Sequence, residues 1–291
     1  FDVTRSPCGS SSGSAVSVAL GYVPVAIGSE TDGSIVCPAS LNGVVGFKPT
    51  HGLVSGFGIV PIAATQDTAG PIATNVIDAA ITLGAMIDID GNSTERNTSI
   101  RTKLLALKAP ADLKGKRIGI LSMVQGFDAR RDELLEAAIA TLESLGAEVV
   151  PGLVAKPYDG YNQDEYDVLL YEFKHQLNDY LAGLPTKFNQ LTLTKLIQFN
   201  NQSDIELSLF DQGIFLKANE LPLTEVEYQQ KLGAIRKAAR EDGLDHLIGA
   251  NKLDVLIGTT GGPAWTIDDV NGDTFHGPSI SSFPAVGGHP R

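Results

Sequence analysis

The sequence predicts an α/β protein built on a mixed, mainly parallel sheet with helices on both faces. Short apolar runs of strand length alternate along the chain with longer segments whose apolar residues follow helical spacing. Residues 117–150 read as strand, helix and strand, which implies a parallel pair joined by a crossover helix. At 291 residues the chain can bury a large core, and its 31 glycines suit a loop-rich α/β enzyme.

Taken in order, the first third of the chain predicts short elements around loops rich in glycine and serine. Apolar runs give the strands, helical spacing gives the helices, and polar or Gly/Pro-rich stretches give the connections. The predicted elements are a serine-capped helix over 12–20, strands at 24–27 and 44–47, loops with one short strand over 52–70, a helix over 75–87, and a polar connector over 89–112.

The rest of the chain predicts one parallel unit followed by a mainly helical segment. After the crossover unit, apolar residues at helical spacing dominate as far as residue 250, and one more buried strand follows. The predicted elements are a strand at 117–121, a helix over 132–145, a strand at 148–150, helices over 166–181, 191–199 and 225–250, and a strand at 254–257.

Composition excludes several classes of function. The net charge of −12, with no basic stripe, argues against nucleic-acid binding. No apolar run approaches the roughly 20 residues that span a bilayer. The five histidines and the acidic residues show no metal-ligand spacing, so we expect no metal and no cofactor. Cys8 and Cys37 read as two small buried residues of a cytosolic protein, with no disulfide framework.

Two clusters rich in serine and glycine, at 9–14 and 29–34, carry the candidate chemistry. Gly, Ser and Thr at this density let backbone N–H groups converge on a point and place hydroxyls beside it. Acyl transfer needs these parts: a nucleophilic hydroxyl, a proton shuttle and donors for a developing oxyanion. Ser34 follows Gly33 at a predicted loop-to-helix junction, where free N–H groups and the positive helix end both favour an oxyanion.

Three segments in this region, 9–15, 28–35 and 38–50, resemble the hallmark motifs of the amidase signature family of Ser–Ser–Lys hydrolases. The match runs without a gap for roughly forty residues. It continues at 66–71, which looks like the family's Asp-x-x-Gly-Pro turn, while 170–174 and 259–265 look like the branch of peptide amidases. Asp32 and Val36 depart from the family's Gly and Arg, and the peptide-amidase branch is similar at both positions.

The resemblance implies a role for each residue of the two clusters. Ser34 is the nucleophile, and Ser10, 24 positions earlier, passes its proton onward; the Gly9–Ser10 bond is the family's cis peptide. Ser11 is a substrate-binding helper or a helix cap. The backbone N–H groups of Thr31, Asp32, Gly33 and Ser34 form the oxyanion hole. The family's catalytic lysine lies well upstream of Ser10, and none of the nine residues before Ser10 is a lysine.

Two competing readings of the chemistry stay open at this point. Residues 9–13 also match the G-x-S-x-G nucleophile elbow, which would make Ser11 the nucleophile with His246, His276 or His289 as base. That motif needs a strand immediately before it, and residues 1–8 offer no apolar run. Lys48 is the lysine nearest the serines in sequence, but it ends a strand before proline and reads as structural.

The resemblance also implies an organisation and a function. We expect residues 1–291 to be a fragment, trimmed at both ends, of one α/β/α domain, with 160–250 as a helical insertion covering the active-site face. The expected activity is release of ammonia from a small carboxamide, a peptide C-terminal amide, through an acyl-serine; the fragment alone should be inactive for lack of the lysine. The alternative is a non-catalytic or partner-dependent protein, such as one component of an amidotransferase.

The expected partner is a small-molecule or peptide amide, with no nucleic acid and no membrane, and a homodimer is the assembly left open. No signal peptide is visible, which favours the cytoplasm as the location of the protein.

Overall fold

The structure is a computed structural model that describes residues 2–87, 94–109, 112–208, 210–275 and 277–291. Its helices are α1 Ser12–Ala19, α2 Val36–Leu41, α3 Val76–Met86, α4 Thr94–Leu105, α5 Ala129–Ser144, α6 Tyr161–Ala182, α7 Leu193–Asn201, α8 Gly213–Glu220, α9 Glu225–Ala239, α10 Asp245–Asn251 and α11 Ser282–Gly287. Its strands are β1 Val25–Glu30, β2 Val45–Gly46, β3 Thr68–Ala73, β4 Arg117–Leu121, β5 Glu148–Leu153 and β6 Val255–Ile257.

The first sheet is antiparallel, in the order β1-β3-β2, and its strand β1 leads into the second serine cluster. Its central strand β3 is buried along its whole length, and a Cβ on Gly70 would lie 2.0 Å from the Phe47 carbonyl, so only glycine fits this close approach. The segment 66–71 was expected to form a turn, but strand β3 begins within it, at Thr68. Strand β1 extends three residues past its predicted end to Glu30, immediately before the loop that leads to Ser34.

The second sheet is parallel, in the order β5-β4-β6, and it confirms the predicted crossover unit. Helix α5 joins β4 to β5, and β6 pairs with the other side of β4. The α/β class is confirmed. By their hydrogen bonds, however, the described strands form two three-stranded sheets, whereas the sequence predicted one mixed sheet.

Helices α6 to α10 occupy most of the stretch predicted to be helical. The chief apolar cluster joins α6 to α9 through residues that include Val168, Leu232 and Ile235, and it extends to Phe283 of α11. The long helix predicted over 225–250 is interrupted by a π-helical segment at 240–244, where Gly243 has non-helical angles. Only glycine fits at this position, because a Cβ on Gly243 would lie 2.5 Å from the Ala238 carbonyl oxygen and 3.1 Å from the Phe283 ring.

Three further expectations need correction. The polar connector over 89–112 contains helix α4; residues 88–93, 110 and 111 lie outside the described part. The serine cap of α1 is wrong: Ser11 occupies the N-cap position, but its side chain makes no capping bond. Helix α8 falls between two predicted helices and was missed. Among the helices of the described residues, none combines the length and the apolar character that crossing a membrane requires.

Candidate active site

Ser10 and Ser34 line one small cavity of about 30 Å³, together with Thr31 and with residues of the loop before β3. The two serines come from different elements, the turn before α1 and the turn before α2. Strand β1 connects them, and the backbone bond from Ser11 N–H to the Ser34 carbonyl, 3.1 Å long, ties the two turns together. The Gly9–Ser10 peptide bond is cis. A cavity of this volume accommodates a reacting group of a few atoms, such as a carboxamide.

The loop before Ser34 turns sharply at Gly33, whose φ of +85° lies in the region that favours glycine. Helix α2 starts at Val36 with Ile35 as its N-cap, so Ser34 stands at the predicted loop-to-helix junction and is not itself the N-cap. The first free N–H groups of this junction, those of Ile35 and Val36, donate to Glu30 Oε2 at 2.8 and 3.0 Å. These two donors are therefore already engaged, and the assignment of the oxyanion hole to the N–H groups of Thr31, Asp32, Gly33 and Ser34 stays a prediction.

The carboxylate of Asp67 connects this loop to the segment before β3. Its Oδ1 accepts the Thr31 hydroxyl at 2.6 Å, and its Oδ2 accepts the N–H groups of Ile62 and Ala63 at 2.8 and 2.9 Å. Burial raises the pKa of Asp67, while the three donors act in the opposite direction. Three donors on two carboxylate oxygens make Asp67 a brace that fixes one wall of the cavity against another.

Behind the same loop, acidic side chains cluster in the interior. Glu30 is buried at the end of β1, and Asp32 lies close enough to Glu165 for its charge to act on the Glu165 carboxyl. Burial raises the pKa of Asp32, and the nearby Glu30 adds to the rise. Burial, followed by the charge of Asp32, raises the pKa of Glu165 to about 7. Glu165 also accepts the Ser282 hydroxyl at 2.6 Å, so helix α6 reaches both the loop and the start of α11.

Two cations, one buried and one half-buried, face this acidic cluster. Lys48 is completely buried; its Nζ donates to the His289 carbonyl at 2.7 Å and to the Pro49 carbonyl at 3.3 Å. Burial lowers its pKa to about 8, with the charge of Glu30 opposing the shift. Arg291 pairs with Lys48 through two backbone bonds and lies near Glu30 and Asp32. Lys48 does not line the cavity of the two serines, which agrees with the structural role predicted for it.

The nucleophile-elbow reading does not match the local geometry. The described residues before Ser10 contain only an isolated bridge at Arg5 and no strand. The Ser11 hydroxyl is nearly buried; it donates to the Ser29 carbonyl and accepts from the Ser29 N–H, both at 3.1 Å. Of the histidines proposed for that reading, His289 bonds to Asp245, His246 is exposed, and His276 lies outside the described residues. The helper role of Ser11 stays a prediction.

Cys8 and Cys37 form a disulfide, so the expectation of two unlinked, buried cysteines is wrong. Their Cα atoms lie 5.9 Å apart although 29 positions separate them in sequence, because α1 and β1 return the chain to its starting point. The bridge joins the turn that carries Ser10 to the first turn of α2, just after Ser34. It therefore links the two serine clusters covalently.

The sequence pointed to both serines and to the loop at 31–34, but it missed two buried acidic residues of helix α6. Glu165 and Glu172 are seven residues apart in α6, so they lie on the same face of that helix, and both are buried. Glu172 accepts from the N–H and the hydroxyl of Thr65, at 3.1 and 2.8 Å. Acidic residues at core-facing positions of a helix are the signal that could have revealed them.

Comparison with known proteins identifies the family to which this α/β chain belongs. The amidase family model matches residues 1–280, and the chain belongs to the amidase family. The peptide amidase of Stenotrophomonas maltophilia superposes with a TM-score of 0.82 at 39% identity, covering 100% of this chain and 59% of that protein. Family membership and the family's fold, both expected from the motifs, are thereby confirmed.

Two curated relatives differ in what they match. A probable amidase of Arabidopsis thaliana is 33% identical over 302 aligned positions, which cover 100% of this chain and 54% of that protein. A glutamyl-tRNA(Gln) amidotransferase subunit of a Cyanothece strain is 47% identical over 154 residues, 51% of this chain and 31% of that protein. The chain thus spans about half the length of the relative that it matches from end to end.

Proposed function

We propose that this chain carries the nucleophile of an amide hydrolase that releases ammonia from a peptide C-terminal amide or a similar small carboxamide. The observation that supports this most is the meeting of Ser10, Ser34 and Thr31 on one cavity large enough for a carboxamide and little more. The likeness over the whole chain to a peptide amidase supports the substrate class.

In the proposed reaction the Ser34 hydroxyl attacks the carboxamide carbon, and its proton passes through Ser10 toward a base. Backbone N–H groups of Thr31, Asp32, Gly33 and Ser34 stabilise the tetrahedral oxyanion. The C–N bond then breaks as the nitrogen takes up a proton, which releases ammonia and leaves an acyl ester on Ser34. Water hydrolyses the ester and regenerates the hydroxyl. Ser11 is proposed to help position the substrate through its contact with β1.

The base in this proposal is a lysine upstream of Ser10, as in the family that the motifs resemble. A serine hydroxyl is a weak nucleophile without a base, and loss of a general base costs roughly 10² to 10⁴ in rate. The 291-residue chain alone is therefore expected to be nearly inactive beside a longer form that includes the lysine. Comparable turnover by both would place the base within this chain and overturn that part of the proposal.

A serine-directed fluorophosphonate tests the nucleophile directly. After incubation with the full-length protein, peptide mass spectrometry should find the label on Ser34, and Ser34→Ala should abolish labelling. Label on Ser11 would contradict the assignment and restore the elbow reading. Ammonia release from an amidated dipeptide, measured on the same preparation, tests the reaction itself.

The alternative function is to liberate ammonia for a partner protein. The 47% identity to one component of an amidotransferase supports this alternative. The two functions differ in their need for that partner. A free peptide amide hydrolysed by the protein alone supports the hydrolase, whereas activity that requires added partner proteins supports the alternative.

A further inference from the structure

The cavity of the two serines is too small for a whole substrate. At about 30 Å³ it accommodates the reacting carboxamide, while ligand pockets that bury a substrate usually measure about 300–1,000 Å³. The remainder of a peptide amide must therefore lie in a neighbouring space. Since ammonia is the leaving group of a primary amide, that space has to accept the acyl side.

A pocket of about 500 Å³ adjoins the small cavity, and Ile62 lines both. Its floor is one face of α6, formed by residues spaced three, four and seven apart: Tyr166, Leu169, Leu170 and Phe173. Ile214 and Phe215 of α8 face this floor, and the Phe173 and Phe215 rings lie 5.4 Å apart. The lining is thus predominantly apolar and aromatic.

The shared wall is held by the same groups that hold the oxyanion loop. Asp67 accepts the Ile62 N–H through one carboxylate oxygen and the Thr31 hydroxyl through the other. On the α6 side, Gln176 accepts the Ala64 N–H at 2.6 Å. Because these bonds fix Ile62 relative to Thr31, the apolar pocket keeps a constant position beside Ser34.

We propose that this pocket, called here the α6–α8 pocket, receives an apolar or aromatic side chain on the acyl side of the amide substrate, with Ile62 as the divider between side chain and reacting group. The inference rests on the proposed function and names its substrate class. The hydrophobic effect favours transfer of such a side chain from water into this lining. The carboxylates of Glu206 and Asp211 line the same pocket, so an acidic side chain is excluded by repulsion.

Binding can be measured without turnover in full-length protein carrying Ser34→Ala. Isothermal titration compares N-acetyl-phenylalaninamide, N-acetyl-glycinamide and the 1-amide of N-acetyl-aspartate. We expect the phenylalanine amide to bind roughly ten-fold or more tightly than the glycine amide, and the aspartate amide to bind most weakly. Equal affinities for the three ligands would overturn the proposal.

A matched pair of variants on α8 locates the effect. Ile214 lines the pocket and is 60% exposed, whereas Leu216 is 39% exposed and does not line it. Ile214→Asp should reduce the preference for the phenylalanine amide to roughly three-fold or less, because it adds a charge to the apolar lining, and Leu216→Asp should leave it unchanged. A preference that survives Ile214→Asp, with the fold verified by circular dichroism, would place the side chain elsewhere.

A photoreactive probe gives a second readout that does not depend on any substitution. N-acetyl-p-benzoylphenylalaninamide should cross-link to α6 or α8, and cross-links confined to other elements would contradict the proposal. Ammonia release from the same amides separates the two hypotheses. Ammonia release without side-chain preference refutes the pocket assignment alone. Preferential binding of the phenylalanine amide, with no ammonia release by full-length protein that retains Ser34, refutes the proposed function alone.

Discussion

Asp32, in the loop before Ser34, lies close enough to Glu165 of helix α6 that its charge adds to the effect of burial in raising the pKa of the Glu165 carboxyl. Two carboxyls buried side by side repel each other when both are ionised, so the pair favours a state in which one of them carries a proton. The pair lies in an interior that also holds Glu30, with Lys48 and Arg291 as the facing cations. With three carboxyls and two cations, the cluster becomes electrically neutral when one carboxyl binds a proton, and either member of the Asp32–Glu165 pair can bind it. The net charge behind the oxyanion loop thus depends on whether this proton is bound.

Stability should fall as the pH rises through neutrality, because this pair must then ionise. The pKa of Glu165 is raised from 4.5 to about 7, so the folded state binds the proton more tightly than the unfolded state. The resulting stabilisation is complete below about pH 4.5 and is lost as the pH approaches about 7. Thermal unfolding should show this slope in the native chain. Glu165→Gln should flatten it, while Glu136→Gln, at an exposed position on α5, should leave it unchanged.

Lys48 should produce the opposite slope in alkaline solution. Burial lowers its pKa from 10.5 to about 8, so the unfolded state binds the proton more tightly between these values. Its contribution to stability therefore increases as the pH rises from about 8 to about 10.5. The difference in unfolding free energy between the native chain and Lys48→Met should change over this range. Lys114→Met, at an 80% exposed side chain, should give a constant difference.

Local signals in the sequence were sufficient for the elements around the serines. Helical spacing located α1, α3 and α5, and apolar runs located β4 and β6, because each depends on its own residues. The Gly-Ser clusters identified Ser10 and Ser34 for the same reason. Helix α4 escaped because its mean hydropathy is low and it presents little apolar periodicity.

Features that depend on distant contacts could not be predicted. Asp67 reads in sequence as one residue of a motif, and only the fold shows that it bonds Thr31 and Ile62 together. The Cys8–Cys37 bridge required knowing that β1 returns the chain toward its starting point. The division into two sheets depends likewise on pairing between strands far apart in sequence, which periodicity does not specify.

Ser10 and Ser34 should act as one unit in the full-length protein. Ser34→Ala removes the nucleophile and should lower kcat by roughly 10⁴-fold or more. Ser10→Ala should slow the reaction while leaving the circular dichroism spectrum and melting temperature unchanged. The double variant should be no slower than Ser34→Ala. Losses that multiply would instead indicate that Ser10 has a structural role only.

Removing the disulfide should destabilise the fold. The bridge spans 29 positions, and loop-closure entropy for a loop of that length corresponds to about 3–4 kcal/mol. Cys8→Ser with Cys37→Ser should therefore lower the denaturant midpoint under oxidising conditions. A reducing agent should lower the midpoint of the native chain to the same value and have no effect on the double variant. Identical midpoints for all four samples would show that the cysteines are not linked in solution.

The brace at Asp67 should matter through its geometry more than through its charge. Asparagine can keep both sets of bonds: its carbonyl oxygen can accept from the N–H groups of Ile62 and Ala63, and its amide can donate to the Thr31 hydroxyl. Asp67→Asn should therefore retain kcat within a few-fold. Asp67→Ala loses every bond and should release Thr31, which lowers kcat by roughly 10²-fold, as expected for a misplaced oxyanion donor. Steady-state ammonia release on a small amide such as N-acetyl-glycinamide, which does not use the α6–α8 pocket, isolates this effect. Equal loss in the two variants would mean that the negative charge is what the site requires.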